Sequence, residues 1–259
     1  MLDVIGYPVS VLLWCWHHVF GFLLGDANAL AWALAIVFLV FTVRAALVKP
    51  ALAQARALPK MRQLTTRVAA IRKKYPDDRF RQTEELRKAQ RELGVSPFGS
   101  ILPLLLQVPA FLGLNQVLRA FTASPDAANY VFSLADVRSY LAATLLDVHF
   151  GDALLSLTST GPGLVQATWL WQAAPVVIPL VLIATVATHL TARLAVTTQP
   201  MTGPQATMMR NLSLYVLPLS VLVFGAALPV GLLVYWVSSN VWMLGQQRLL
   251  SRVVDRSGH

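Results

Sequence analysis

One arginine sits alone in an apolar run, "FLVFTVRAALVKP" at residues 38–50, within a hydrophobic stretch from Ala29 to Val48. Its guanidinium carries a permanent charge, so a reason is needed for Arg44 to lie in such a run. On insertion scales an Arg at a helix centre costs about 2.5–3.5 kcal/mol, whereas the eleven Leu, Ile, Phe and Val residues of this stretch return roughly 3–7 kcal/mol. The helix can therefore carry the charge. Arg44 lies five residues before Lys49, about 7.5 Å of helical rise, so snorkelling to a nearby interface is its bland explanation. Polar residues in the other apolar runs shift the balance. These are Gln107; Thr185, Thr188, His189 and Thr191; and the step Ser238-Ser239-Asn240. Any one hydroxyl reads as helix–helix glue, but polar groups in spanning helices turn toward one another or a wet cavity. Together with Arg44 they point to a hydrated, positively charged cavity.

Other chemistry is poorly supported. The single cysteine, Cys15, excludes an internal disulfide and is expected to be a small buried apolar residue. His17-His18 read as interfacial polar residues rather than metal ligands. His189 is the only histidine at membrane depth, HExxH and GxxxxGK[ST] patterns do not occur, and no catalytic site, metal or cofactor is expected.

The elements that must position these residues follow from hydropathy. Of 259 residues, 56% are hydrophobic and only 13% charged, with mean hydropathy +0.59, against about 25% charged in soluble domains. The fold class is an all-α polytopic membrane protein. Residues 1–28 are aromatic and interrupted by Tyr7-Pro8, Gly21 and Gly25, which suggests an interfacial helix. The segment also lacks the basic n-region of a cleaved leader. Five spans are expected at 29–48, 99–120, 173–192, 211–228 and 230–248, the last two joined in a tight hairpin. Between them lie a charged segment 49–95, a mixed loop 121–170 closed by Trp169 and Trp171, a polar loop 193–209 and a tail 249–259. Eighteen Lys/Arg fall on one side of this topology and two on the other. The positive-inside rule then puts the N-terminus and the 121–170 loop outside, with 49–95 and the C-terminus in the cytoplasm.

In the segment 49–95, Met61, Leu64, Val68, Ile71 and Tyr75 form a helical seam. Pro76-Asp77-Asp78 make a turn, and Phe80, Leu86, Ala89, Gln90 and Leu93 form a shorter stripe before Gly94. This predicts a helical hairpin. Its thirteen Lys/Arg against five Asp/Glu either set topology alone or dock on anionic lipid or ribosomal RNA.

The stretches "FLVFTVRAALVKP", "LPKMRQL", "IRKKYPDD", "RELGVSPFGSILPLLLQVPAFLGLNQVL" and "LPVGLLVYWVSSNVWMLGQQ" make the chain resemble the YidC/Oxa family of membrane protein insertases, in its short five-span bacterial form. The element from Gly94 to Pro109 is the most specific of these. The resemblance implies a chaperone and insertase that needs no nucleotide and works in the bacterial plasma membrane. Its five helices would surround a groove open to the cytoplasm, where Arg44 receives the polar tail of a nascent membrane protein. Gln107, Thr188, Thr191, Ser238, Ser239, Asn240 and Trp242 would line that groove. Lys60, Arg62, Arg72, Lys73, Lys74, Arg79 and Arg81 of the hairpin would dock on anionic lipid or the ribosome, with the Sec translocon as a further partner. Many relatives have Gln near the cytoplasmic end of the third span, where this chain has Thr191-Ala192-Arg193. The rival reading is a small-solute transporter or channel, but no internal repeat or matched pair of broken helices supports it.

Overall fold

The computed structural model describes residues 3–94, 102–161, 164–198 and 204–256. Helix α1, Asp3–Leu24, is followed by a short turn and α2, Ala29–Ala46. Asn28 caps α2, its side-chain oxygen accepting from the Leu30 amide at 2.8 Å. This satisfies one of the amides that a helix start leaves unpaired. Leu47 separates α2 from α3, Val48–Lys74, which with α4, Arg79–Leu93, makes the expected hairpin. Next come α5, Leu102–Ala123, and a short α6, Leu134–Ala142. Then follow the paired strands β1, Thr144–Leu145, with β2, Val148–His149, and β3, Leu155–Gly161, with β4, Leu164–Trp169. The chain ends with α7, Ala174–Thr198; α8, Pro204–Asn211; a π-turn, Leu212–Val216; α9, Leu217–Phe224; and α10, Val230–Arg256.

Several expectations are corrected. Residues 3–24 form one unbroken helix through Pro8 and Gly21; Pro8 falls early enough to forfeit a single backbone bond. Only Gly25, at φ +96°, ends it. Cys15 is exposed rather than buried. The 121–170 segment contains two antiparallel hairpins in addition to a short helix. α7 runs on to Thr198 and α10 to Arg256, so part of the expected 193–209 loop and of the tail is helical. Among the described residues, Val4–Leu24, Ala29–Ala46, Trp171–Val196 and Thr207–Ala227 are long and apolar enough to cross a membrane. The first of these was expected to be interfacial, and α10 does not meet that criterion. Its Ser238-Ser239-Asn240 step lowers its hydropathy. Residues 99–101 of the expected second span lie outside the described residues.

The hairpin closes on a small apolar contact: Leu64 and Ala89 are buried, with Val68, Ile71, Leu86 and Leu93 packed around them. Asp78 caps α4 by accepting from the Arg81 amide at 2.9 Å, and Gly94 ends it at φ +62°. Arg67 pairs with Glu92 at 2.6 Å across the two helices. Phe80 is 80% exposed and does not belong to the seam.

The main core lies where α1, α2, α5, α6 and α10 meet. Trp32, Phe121, Phe132, Tyr140 and Phe150 are all buried there, with Trp32 edge-on to Tyr140 at 5.1 Å and Phe121 edge-on to Phe132 at 4.9 Å. The start of α10 is tied to the loop by bonds from the Val230 amide to the Asp152 carbonyl and from the Gly231 amide to the Phe150 carbonyl. α1 approaches α5 so closely that a Cβ on Gly113 would stand 2.7 Å from Val9 Cγ2 and 3.0 Å from the Ile5 carbonyl oxygen. Small residues allow such backbone approach between membrane helices. Gly113→Ala should therefore cost about 1–3 kcal/mol by overpacking, measured by thermal unfolding in detergent. An unchanged midpoint would mean that α1 yields freely.

Candidate functional site

Arg44 stands in the last turn of α2, just before the break at Leu47. One guanidinium nitrogen, Nη2, donates to Ser239 Oγ at 2.7 Å, and the other, Nη1, to Met243 Sδ at 3.3 Å. Ser239 and Met243 are four residues apart on α10 and so lie on one helix face. Phe41, one turn before Arg44, meets Trp242 with ring centroids 5.2 Å apart. From the other side, the Trp16 indole donates to Thr42 Oγ1 at 3.0 Å, and the Thr42 hydroxyl donates to the Phe38 carbonyl at 2.8 Å. Arg44 is partly buried, and both of its hydrogen-bond acceptors are neutral. Among the described residues none of the ion pairs involves it. A guanidinium offers five donors, and a hydroxyl plus a weakly accepting thioether leave capacity and charge for an anion.

The remaining predicted residues divide by partner. Ser238 is buried and donates to the Val234 carbonyl at 2.6 Å. Asn240 donates to the Trp236 carbonyl at 3.0 Å, and Trp242 to Gln246 Oε1 at 2.8 Å. Thr185 and Thr191 of α7 likewise bond carbonyls one turn back, at 2.7 and 2.8 Å, the self-satisfied state expected of hydroxyls in a helix. His189 Nδ1 donates to the Leu214 carbonyl inside the π-turn at 2.9 Å. The Thr188 hydroxyl is buried without a hydrogen-bond partner among the described residues. Thus Arg44, Ser239 and, through Phe41, Trp242 are brought together, while the hydrogen bonds of Arg44 reach α10 and not the α7 threonines. The side chain of Gln107 lies outside the described residues. Lys60, Arg72, Lys73, Lys74, Arg79 and Arg81 are exposed on the hairpin. Lys74 sits 5.2 Å from the Tyr75 ring centroid, and Arg81 lies 3.4 Å from Asp78. The Arg62 side chain lies outside the described residues. Met243, Trp16 and Thr42 escaped the sequence reading. The spacing of Met243 from Ser239 was the available signal, but thioethers rarely read as polar partners.

A mostly helical chain with four helices long and apolar enough to cross a bilayer, and an arginine side chain between two helices, has the character of a membrane protein with a polar site among its helices. The sequence profile of the family described as "60Kd inner membrane protein" matches residues 23–257. The "Membrane protein insertase YidC" of Mycobacterium tuberculosis (strain CDC 1551 / Oshkosh) is 38% identical, over 98% of this chain and 74% of its own length. The protein of that name from Mycolicibacterium paratuberculosis is 37% identical, over 98% and 76%, and that from Mycobacterium leprae 36%, over 98% and 71%. The chain belongs to the YidC/Oxa membrane insertase family.

Because the Thr188 hydroxyl makes no internal bond, Thr188→Val should leave stability within about 0.5 kcal/mol, read from thermal unfolding in detergent. A loss above about 1 kcal/mol would reveal a partner for that hydroxyl.

Proposed function

We propose that the chain is a membrane protein insertase of the bacterial plasma membrane, in which Arg44 receives the acidic, polar tail of a nascent membrane protein and the client's apolar helix then passes into the bilayer. The observation that carries this reading is the guanidinium whose hydrogen bonds among the described residues go to neutral groups on α10. Such a cation is already partly desolvated, and in a medium of lower dielectric it attracts a carboxylate more strongly than in bulk water. Partition of the client's own helix and the membrane potential acting on its acidic tail supply the driving force, so no nucleotide is required. Thr188, Thr191, Ser238, Asn240, Trp242 and Gln107 hydrate the remainder of the groove.

In this reading α2, α5, α7, the α8–α9 run and α10 span the membrane, with the hairpin and C-terminus cytoplasmic and the N-terminus outside. α1 packs beside α2 and α5 and is held at several places, since Tyr7 meets Tyr130 with centroids 5.2 Å apart, His18 lies 4.0 Å from Asp136 and Trp16 reaches Thr42. Tyr130 and Asp136 belong to the segment between α5 and the β1–β2 hairpin. The excess of eighteen Lys/Arg against two supports the orientation. The exposed hairpin cations suit anionic lipid headgroups and the ribosome, and the Sec translocon is a further proposed partner.

The test is protease protection of a small client with an acidic translocated tail in proteoliposomes. Arg44→Ala should lower insertion about tenfold, the equivalent of one charge-assisted hydrogen bond, while Arg44→Lys retains most of it. Ser239→Asp should inhibit like Arg44→Ala, because it gives the guanidinium a partner in place. Equal insertion by wild type and Arg44→Ala would reduce Arg44 to a snorkelling residue. Wild-type insertion no better than empty liposomes would remove the insertase reading.

A further inference from the structure

At the far end of α2 from Arg44 a second polar cluster has no role in the insertase reading. His17 and His18 of α1 and Asp136 of α6 bring one ligand atom each to within 4.8 Å of one another. His17 was expected to be an interfacial polar residue, yet it is 1% exposed and stacks on Trp32 with centroids 3.7 Å apart.

Hydrogen bonds on the outer edges of the two rings settle which nitrogens face inward. His17 Nε2 lies 3.0 Å from the Asp26 carbonyl oxygen, and His18 Nδ1 lies 3.0 Å from the Trp14 carbonyl oxygen. A carbonyl only accepts, so both nitrogens carry the hydrogen. In the neutral rings His17 Nδ1 and His18 Nε2 then present lone pairs. His17 Nδ1 is buried and has no hydrogen-bond partner among the described residues, and His18 Nε2 faces Asp136 Oδ1 at 4.0 Å. The other carboxylate oxygen, Oδ2, is held by the Ser133 amide at 2.8 Å and the Ser133 hydroxyl at 2.7 Å in the capping box of α6. Three Lewis-basic atoms therefore converge with no hydrogen between them, and each ligand group is fixed from behind by a backbone or hydroxyl partner. Metal-binding histidines and carboxylates are held in this way.

We infer that His17 Nδ1, His18 Nε2 and Asp136 Oδ1 form a binding site for a divalent transition-metal ion, best suited to Zn2+, that clips α1 to α6. A proton alone satisfies the site incompletely. It can join His18 to Asp136, but it leaves the buried His17 Nδ1 without a partner. Two imidazoles and one carboxylate match the ligand preference of zinc, with a fourth position left for water. Tetrahedral ligands at zinc distances stand about 3.3 Å apart, so the cluster must contract by about an ångström. Of the three side chains, that of His18, 47% exposed, has the most room to move, whereas His17 is held by Trp32 and Asp136 by its cap on α6. Behind the site, the Ser139 hydroxyl donates to the same Asp26 carbonyl at 3.0 Å, and the Trp32 indole donates to Ser139 at 3.1 Å. An ion here would thus brace the α1–α2 turn, α2 and α6 together.

The experiment uses the full chain in detergent, purified with a tag free of histidine, stripped with chelator and titrated with Zn2+ alone. Expected are about one zinc per chain after desalting, a raised thermal midpoint on zinc addition, and at least tenfold weaker binding in His18→Gln and Asp136→Asn. The asparagine keeps an acceptor for the α6 cap, so that helix stays intact. His149→Gln should bind like wild type. Absence of zinc above the chelator-treated baseline would overturn the site, as would undiminished binding in both variants. Loss of binding in His149→Gln would do the same by relocating it.

Discussion

The structure depends on a guanidinium placed near the end of an apolar helix with, among the described residues, no carboxylate paired to it. A buried Arg–Glu pair would have been the obvious way to lodge the charge, but such a pair spends its Coulomb energy internally and leaves nothing for a ligand. Here the protein supplies a hydroxyl and a thioether from one face of α10. They orient the group without cancelling it. α2 must therefore stay against α10, and the other contacts serve that requirement. The Phe41–Trp242 contact lies one turn from the cation, and the Trp16–Thr42 bond ties α1 to the same stretch of α2.

The opposite end of the molecule is built on another principle. There the aromatic residues around Trp32 pack tightly, and Trp32, Ser139 and the Asp26 carbonyl form a short polar chain within a largely apolar interior. Tyr140 shows how dry it is: burial pushes its phenol well above its ordinary pKa. The two ends thus differ in kind: one is an aromatic core and the other places a cation between α2 and α10. The hairpin α3–α4 is closed by a small apolar contact of its own and an exposed ion pair, separate from the main core.

Much of this was legible in the sequence because hydropathy and charge are one-dimensional signals. The apolar run 29–48, most of which is α2, the turn at Pro76-Asp77-Asp78 and the end of the following helix before Gly94 all follow from local composition. What was missed depends on distant partners. Pro8 and Gly21 were read as interruptions because their local propensity is poor, but packing of α1 on α2 and α5 overrides it. His17 looked interfacial because nothing nearby in sequence announces Trp32, Asp26 or Asp136. Met243 was overlooked as an acceptor for the same reason, 199 residues from Arg44. Phe80 was assigned to a seam by spacing alone, although it starts its helix too early to reach α3.

The central claim is that the charge of Arg44 acts on the acidic residues of the client rather than on the fold. The most direct measurement is a cycle that crosses wild type and Arg44→Gln with clients whose translocated tails carry acidic or matched neutral residues, scored by protease protection in proteoliposomes. The account predicts that Arg44→Gln impairs the acidic client and spares the neutral one, so the two changes couple. An equal defect for both clients would show that Arg44 supports the fold or the groove's hydration, and would contradict the account.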